Sequence, residues 1–271
     1  MSDYEMMVLD LDGTLLDSNS VLAEETKVIL QNCMKKGKKI VLCSSRSYEE
    51  MGTIARELYE GCEGQYCIGF GGALCYTQDG QCIVEADPIE TAVADHMITL
   101  AEKRRIHIHG YDETCLYYYR ETNELETFLN FAKVTHIRMK KVSYEAFRQQ
   151  YFHKLMCLGE MEKLEEYDNE ISSIAGTAFS NPAGQQGYLD IVRLGISKGT
   201  GVEQLCRYLG IPIGRCICVG DGENDIPMLQ RAGLGVAMKN GTDSVKAVAD
   251  YVTPLSNNEN AVGFLAAKFM E

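Results

Sequence analysis

The chain has 271 residues, 45% hydrophobic and 24% charged, which is ordinary globular composition with room for one large domain or two modest ones. Its net charge of −13 repels nucleic acid and anionic membrane, and it would repel a phosphorylated ligand too without a local cation. With no apolar run of membrane-spanning length, no basic start of a signal peptide and eleven cysteines lacking a CxxC pair, the expectation is a cytoplasmic protein with reduced, buried thiols.

In chain order, Met6–Leu9 reads as a first strand, continuous rather than alternating, as in a parallel sheet buried on both faces. Residues 24–36 read as a helix with Val28, Ile29, Cys33 and Met34 on one face and Gly37 at its end. Residues 40–43 and 67–70 are further buried strands. Asp87-Pro88-Ile89-Glu90 then looks like a capping box with proline at the first helical position, opening a helix through Lys103. Strands are expected at 106–109 and 116–119, helices at 122–133 and 143–151, a strand at Lys154–Gly159, a helix at Met161–Ile171, and strands at 174–180 and 187–192. A helix at Lys198–Leu209, closed by Gly210 and Pro212, precedes strands at 217–219 and Leu234–Ala237.

Strands alternating with helices at both ends predict a doubly wound, Rossmann-like α/β core with ligands at the carboxyl ends of its strands. The paired strands and helices between suggest an inserted α+β domain, dividing the chain into 1–85 and 189–271 for the core and 86–188 for the insertion.

Two acidic turns stand out. Asp10-Leu11-Asp12-Gly13-Thr14 follows the first strand, with two carboxylates where such sheets bind ligands and a glycine that permits a sharp turn. Gly220-Asp221-Gly222-Glu223-Asn224-Asp225 follows the strand at 217–219, and its acids repel one another unless a cation binds. Oxygen-only ligands, few in number, suit Mg²⁺ better than Ca²⁺. Ser44-Ser45-Arg46, after the strand at 40–43, reads either as a phosphate seat or as a helix cap at Ser44 or Ser45. Lys198 opens a helix, where a cation is unfavourable and an anionic partner would explain it, although taken alone a surface lysine is the better reading. All five histidines, His96, His107, His109, His136 and His153, fall in the presumed insertion, which disfavours a Ser-His or Cys-His hydrolase. His107-Ile108-His109 reads as a polar strand face rather than a metal pair, and Cys216-Ile217-Cys218 lacks a second cluster that would make it one.

These motifs, in this order and on strand ends, resemble the haloacid dehalogenase-like phosphatase superfamily, and within it the Cof-type branch with its large α/β cap. The resemblance spans nearly the whole chain and is most specific at residues 10–17, 219–229 and 235–241. It implies Asp10 as nucleophile and Asp12 as acid and base. It also implies Mg²⁺ held by Asp10, Asp221 and the Asp12 carbonyl with support from Asp225. Ser44, Lys198 and Asn224 would be on the phosphate, and Arg46 on the substrate. The substrate would be a small phosphorylated metabolite, such as a sugar phosphate or phosphorylated cofactor. Three positions depart from the family pattern: Gly71 where asparagine is usual, and Ser45 and Ala261 where glycine is. A phosphomutase of the same superfamily, using Arg104, Arg105, Arg120 and Arg138, and a sensor without turnover are the alternatives, though a sensor would be expected to have lost Asp10 or Asp12. The oligomeric state is left open.

Overall fold

The computed structural model describes residues 4–131, 137–180 and 187–270. His136 and residues 132–133 of the expected helix lie outside them.

The chain opens with β1 (Met6–Leu9), α1 (Glu24–Lys35), β2 (Lys39–Cys43), α2 (Tyr48–Leu58) and β3 (Tyr66–Gly69), then a hairpin of β4 (Leu74–Thr77) and β5 (Cys82–Glu85). Next come α3 (Thr91–Arg104), β6 (His107–Tyr111), β7 (Cys115–Tyr118), α4 (Asn123–Phe131), β8 (Arg138–Lys141), α5 (Tyr144–Arg148), β9 (Lys154–Gly159), α6 (Met161–Ile171), β10 (Ala175–Ser180) and β11 (Gly187–Arg193). The chain ends with α7 (Lys198–Leu209), β12 (Cys216–Gly220), α8 (Ile226–Leu229), β13 (Leu234–Ala237), α9 (Asp243–Val248), β14 (Tyr251–Val252) and α10 (Ala261–Phe269). It divides into two compact units, one of residues up to Glu85 together with those from Ser197, the other Ala86–Ile196.

In the first unit eight strands lie in the order β14-β13-β12-β1-β2-β3-β4-β5. The chain winds out from β1 through β2 and β3 on one side and through β12, β13 and β14 on the other, all parallel. Only β4 and β5 run antiparallel, at one edge. All four residues of β1 and all five of β12 are buried, which is why both read as unbroken apolar runs. The direction of winding reverses at β1, the place where open α/β sheets form a ligand crevice.

Three local expectations are corrected. The buried face of α1 is Thr26, Leu30, Cys33 and Met34, a helical repeat that turns Val28 outward. Helix α3 starts at Thr91 and not at Pro88, because Ile89 is buried and its N–H donates 2.9 Å to the Phe152 carbonyl, holding 87–90 extended. The cap of α2 is Ser47, in a reciprocal capping box with Glu50, so neither Ser44 nor Ser45 caps a helix.

The second unit is a six-stranded sheet, β10-β11-β9-β6-β7-β8, antiparallel except between β7 and β8. Helices α3, α5 and α6 build a core on one face through Met97, Ile98, Phe147, Leu164 and Tyr167 against Ile108, Leu155, Cys157 and Leu189. The alternate residues of β6 form a buried polar ladder. Thr122 Oγ1 meets His107 Nδ1 at 2.9 Å, His107 Nε2 meets His109 Nδ1 at 3.1 Å, and His109 Nε2 meets the Tyr111 hydroxyl at 3.2 Å. The two imidazoles thus share one polar face of the strand, as expected, and form an internal hydrogen-bonded chain there. Among the described residues, no helix is long and apolar enough to cross a membrane.

Candidate active site

Strand register brings the motifs together. Leu9 of β1 is level with Val219 of β12 on one side and Leu42 of β2 on the other. Adjacent strands lie about 4.8 Å apart, so the residues just past these three strand ends share one edge: Asp10 after β1, Asp221 after β12, Ser44 after β2. The Asp10 N–H donates 3.1 Å to the Val219 carbonyl, fixing the first acidic turn against β12.

Asp10, Asp221 and Asp225 each present a carboxylate oxygen within 4.8 Å of the others. Lys198 Nζ lies 2.5 Å from Asp10 Oδ1 and 2.6 Å from Asp225 Oδ1, with its side chain 1% exposed. Lys198 is the first residue of α7, whose cap is Ser197 with Thr200. The anionic partners that offset its place at a helix start are therefore two carboxylates of the protein itself. Asp225 is fully occupied, since its Oδ2 also accepts from the N–H groups of Asp221 and Gly222 at 2.9 Å each. Asp221 Oδ1 accepts from the Thr14 hydroxyl at 2.8 Å. Among the described residues no donor is hydrogen-bonded to Asp10 Oδ2 or Asp221 Oδ2.

The charges do not balance. Three carboxylates face one ammonium, a formal excess of two negative charges. Burial raises Asp10 well above the ordinary carboxylate range; Lys198 pulls it back, but Asp225 and Asp221 push it further up. Burial, with the neighbouring Asp225, carries Asp221 up to about 6 against the Thr14 hydrogen bond. Burial draws Lys198 down, yet Asp10 and Asp225 outweigh it, and the ammonium is held above its ordinary value. A hard divalent cation fits this donor set, which is all oxygen and short of two positive charges.

Asp12 is exposed and paired with Arg46 in a two-pronged ion pair, Nη2–Oδ1 at 2.7 Å and Nε–Oδ2 at 3.0 Å. Ser44 is buried, and its hydroxyl accepts from the Arg46 N–H at 3.2 Å. Asn224 lies half-buried in the tight turn Glu223–Asp225. Sequence reasoning assigned no role to three residues that tie the loops together. They are Thr14, on Asp221; Asn240, whose Nδ2 donates 2.7 Å to the Gly13 carbonyl; and Thr242, whose N–H donates 3.0 Å to the Asp221 carbonyl. A polar Asn-Gly turn after the strand Leu234–Ala237 was the available signal for the last two.

Residues 7–265 match the family described as haloacid dehalogenase-like hydrolase. The chain is 28% identical over 260 residues to the Bacillus subtilis protein named "Putative phosphatase YxeH", covering 96% of each chain. It is 23% identical over 270 residues to 5-amino-6-(5-phospho-D-ribitylamino)uracil phosphatase YitU of the same organism, covering 97% of each. A crystal structure of a haloacid dehalogenase-like hydrolase from Bacteroides thetaiotaomicron superposes with a TM-score of 0.84 at 24% identity, covering 98% of this chain and 99% of that one. The chain belongs to the haloacid dehalogenase-like hydrolase family.

Proposed function

We propose that the chain is a magnesium-dependent phosphomonoesterase of the cytoplasm, acting on a small phosphorylated metabolite such as a sugar phosphate or a phosphorylated cofactor. The observation that carries this reading is the convergence of Asp10, Asp221, Asp225 and Lys198, which leaves two carboxylate oxygens and two negative charges uncompensated. The names of the relatives YxeH and YitU point to the same class of reaction.

Mg²⁺ would be held by the Asp10 and Asp221 carboxylates and the Asp12 carbonyl, with Asp225 bracing the site, and would neutralise charge on phosphate and nucleophile. Asp10 attacks phosphorus, and the bond to the leaving oxygen breaks as Asp12 gives that oxygen a proton. Asp12 then takes a proton from water, which releases phosphate from the aspartyl intermediate and restores Asp10. Lys198 faces the transferring oxygens and, with Asp225, keeps Asp10 oriented. Ser44 and Asn224 supply further phosphate contacts. Arg46 orients Asp12 through their ion pair and can turn to the substrate when Asp12 is engaged.

The test is phosphate release from a panel of sugar phosphates and phosphorylated cofactors, with and without Mg²⁺, for wild type and Asp10→Asn. Release should require the metal and vanish in the variant. A variant as fast as wild type would remove Asp10 from the role of nucleophile.

A further inference from the structure

None of the eleven cysteines is in a disulfide, and most are buried in apolar surroundings that raise their thiols, as at Cys43, Cys67, Cys75, Cys157 and Cys218. Cys206 and Cys216 are different. Their sulfurs lie 3.4 Å apart, Cys206 in the last turns of α7 and Cys216 as the first residue of β12. A disulfide bond is about 2.0 Å long, so the two sulfurs need to approach by only about 1.4 Å. Neither residue belongs to any group of three potential ligands found among the described residues, which argues against metal chelation by the pair.

We propose that Cys206 and Cys216 are a modification site that closes to a reversible disulfide on exposure to a hydroperoxide. The order of events follows from the environment. Cys206 keeps 4% exposure while Cys216 is fully buried, so the oxidant reaches Cys206 first. The hydrogen bond between the two sulfurs, in which either can donate, lowers the Cys206 thiol below its ordinary value and pushes Cys216 up. The Cys206 thiolate attacks a peroxide oxygen, the O–O bond breaks, and for hydrogen peroxide the departing hydroxide takes up the proton the thiol had lost and leaves as water, giving a sulfenic acid. The Cys216 sulfur then attacks the Cys206 sulfur; its proton and the hydroxyl leave as a second water. Two thiols and one peroxide thus give one disulfide and two waters. The bond would span the connection between α7 and β12, at the end of α7 away from Lys198, eight residues or about 12 Å along the helix.

The test uses the full chain and hydrogen peroxide. After treatment and denaturation, titratable thiols should fall from eleven to nine, return to eleven with dithiothreitol, and give a linked peptide pair containing Cys206 and Cys216. Cys216→Ser should instead leave a sulfenic acid at Cys206 that a 1,3-dione traps. Eleven thiols after treatment, or a linkage between other cysteines, would overturn the proposal. If the serine variant does not fold, the wild-type peptide map decides alone.

Discussion

A Cβ on Gly13 would stand 2.3 Å from Asp221 Oδ2. The two acidic turns, some two hundred residues apart in sequence, are thus in contact at a point where only hydrogen fits. Gly13 also has φ of +83°, outside the range comfortable for other residues. Gly13→Ala should therefore displace the Asp221 carboxylate and add about 1–2 kcal/mol of backbone strain. Mg²⁺-dependent phosphate release should drop by roughly a hundredfold, as expected for small misplacements of reacting groups. Steady-state assays alongside thermal unfolding measure both effects, and wild-type rates in the alanine variant would show that the contact does not matter.

Gly71 makes the opposite case. It also has positive φ, +62°, but nothing lies within 4 Å of a Cβ there. Asparagine tolerates this backbone region better than other side chains, and the family usually carries it at this position. Gly71→Asn should fold with stability within about 0.5 kcal/mol of wild type. Urea unfolding checks it; a clear destabilisation would mean that the turn at 70–72 has lost the room asparagine needs.

The parts of the fold that could be read in the sequence are those where one physical signal dominates. Strands buried on both faces, such as Met6–Leu9 and Leu234–Ala237, have no alternation to confuse them and were bounded to the residue. Helix α7 has a cap at Ser197 and a left-handed Gly210 after it, and its limits were equally plain. The hairpin β4–β5 went unseen because two four-residue strands, the edge one only half-buried, carry too little pattern. At the site, the acidic turns announced themselves by residue type. The Arg46–Asp12 pair and the Asn240–Gly13 contact could not be seen, since they join loops whose spacing is set by the sheet and not by local sequence.

Removing one buried carboxylate should separate stability from activity. Asp10→Asn relieves repulsion with Asp221 and Asp225 while Lys198 keeps its bond to Asp225. In metal-free buffer the variant should unfold at the same temperature as wild type or a higher one, although it releases no phosphate. Wild type should gain about 2.7 kcal/mol from Mg²⁺ at a hundred times its Kd, and the variant distinctly less. Thermal unfolding with Mg²⁺ and with a chelator gives all four values. Equal metal shifts in both proteins would exclude Asp10 as a ligand.

Lys198→Met should cost stability as well as activity, for it strands two carboxylates beside an apolar side chain. Breaking a buried ion pair by deleting one partner costs about 3–5 kcal/mol. The stranded acids prefer to be protonated in the fold, so the folded variant holds more protons than its unfolded chain and the penalty grows as pH rises. Denaturant unfolding between pH 5 and pH 8 should show the variant falling progressively further below wild type. A constant gap would locate the damage in packing and not in charge.

Acid should weaken the protein through the ladder on β6. Burial, with Arg120 nearby, lowers His107 to about 4, and burial, with His107 and Lys154, holds His109 well below the ordinary imidazole value. Both rings are therefore neutral in the fold, and each has its nitrogens committed to neighbours. Between the folded values and the ordinary value of about 6.5, the unfolded chain binds more protons, and lower pH favours unfolding. The contribution is complete above pH 6.5 or so and is lost as pH falls toward 4, on the order of 3 kcal/mol for His107 alone. Urea unfolding from pH 7.5 to pH 4.5 should trace that loss in wild type. His107→Gln keeps a hydrogen-bonding side chain without the titration, so its stability should depend less steeply on pH over the same range. An equally steep dependence would assign the acid sensitivity to carboxylates elsewhere.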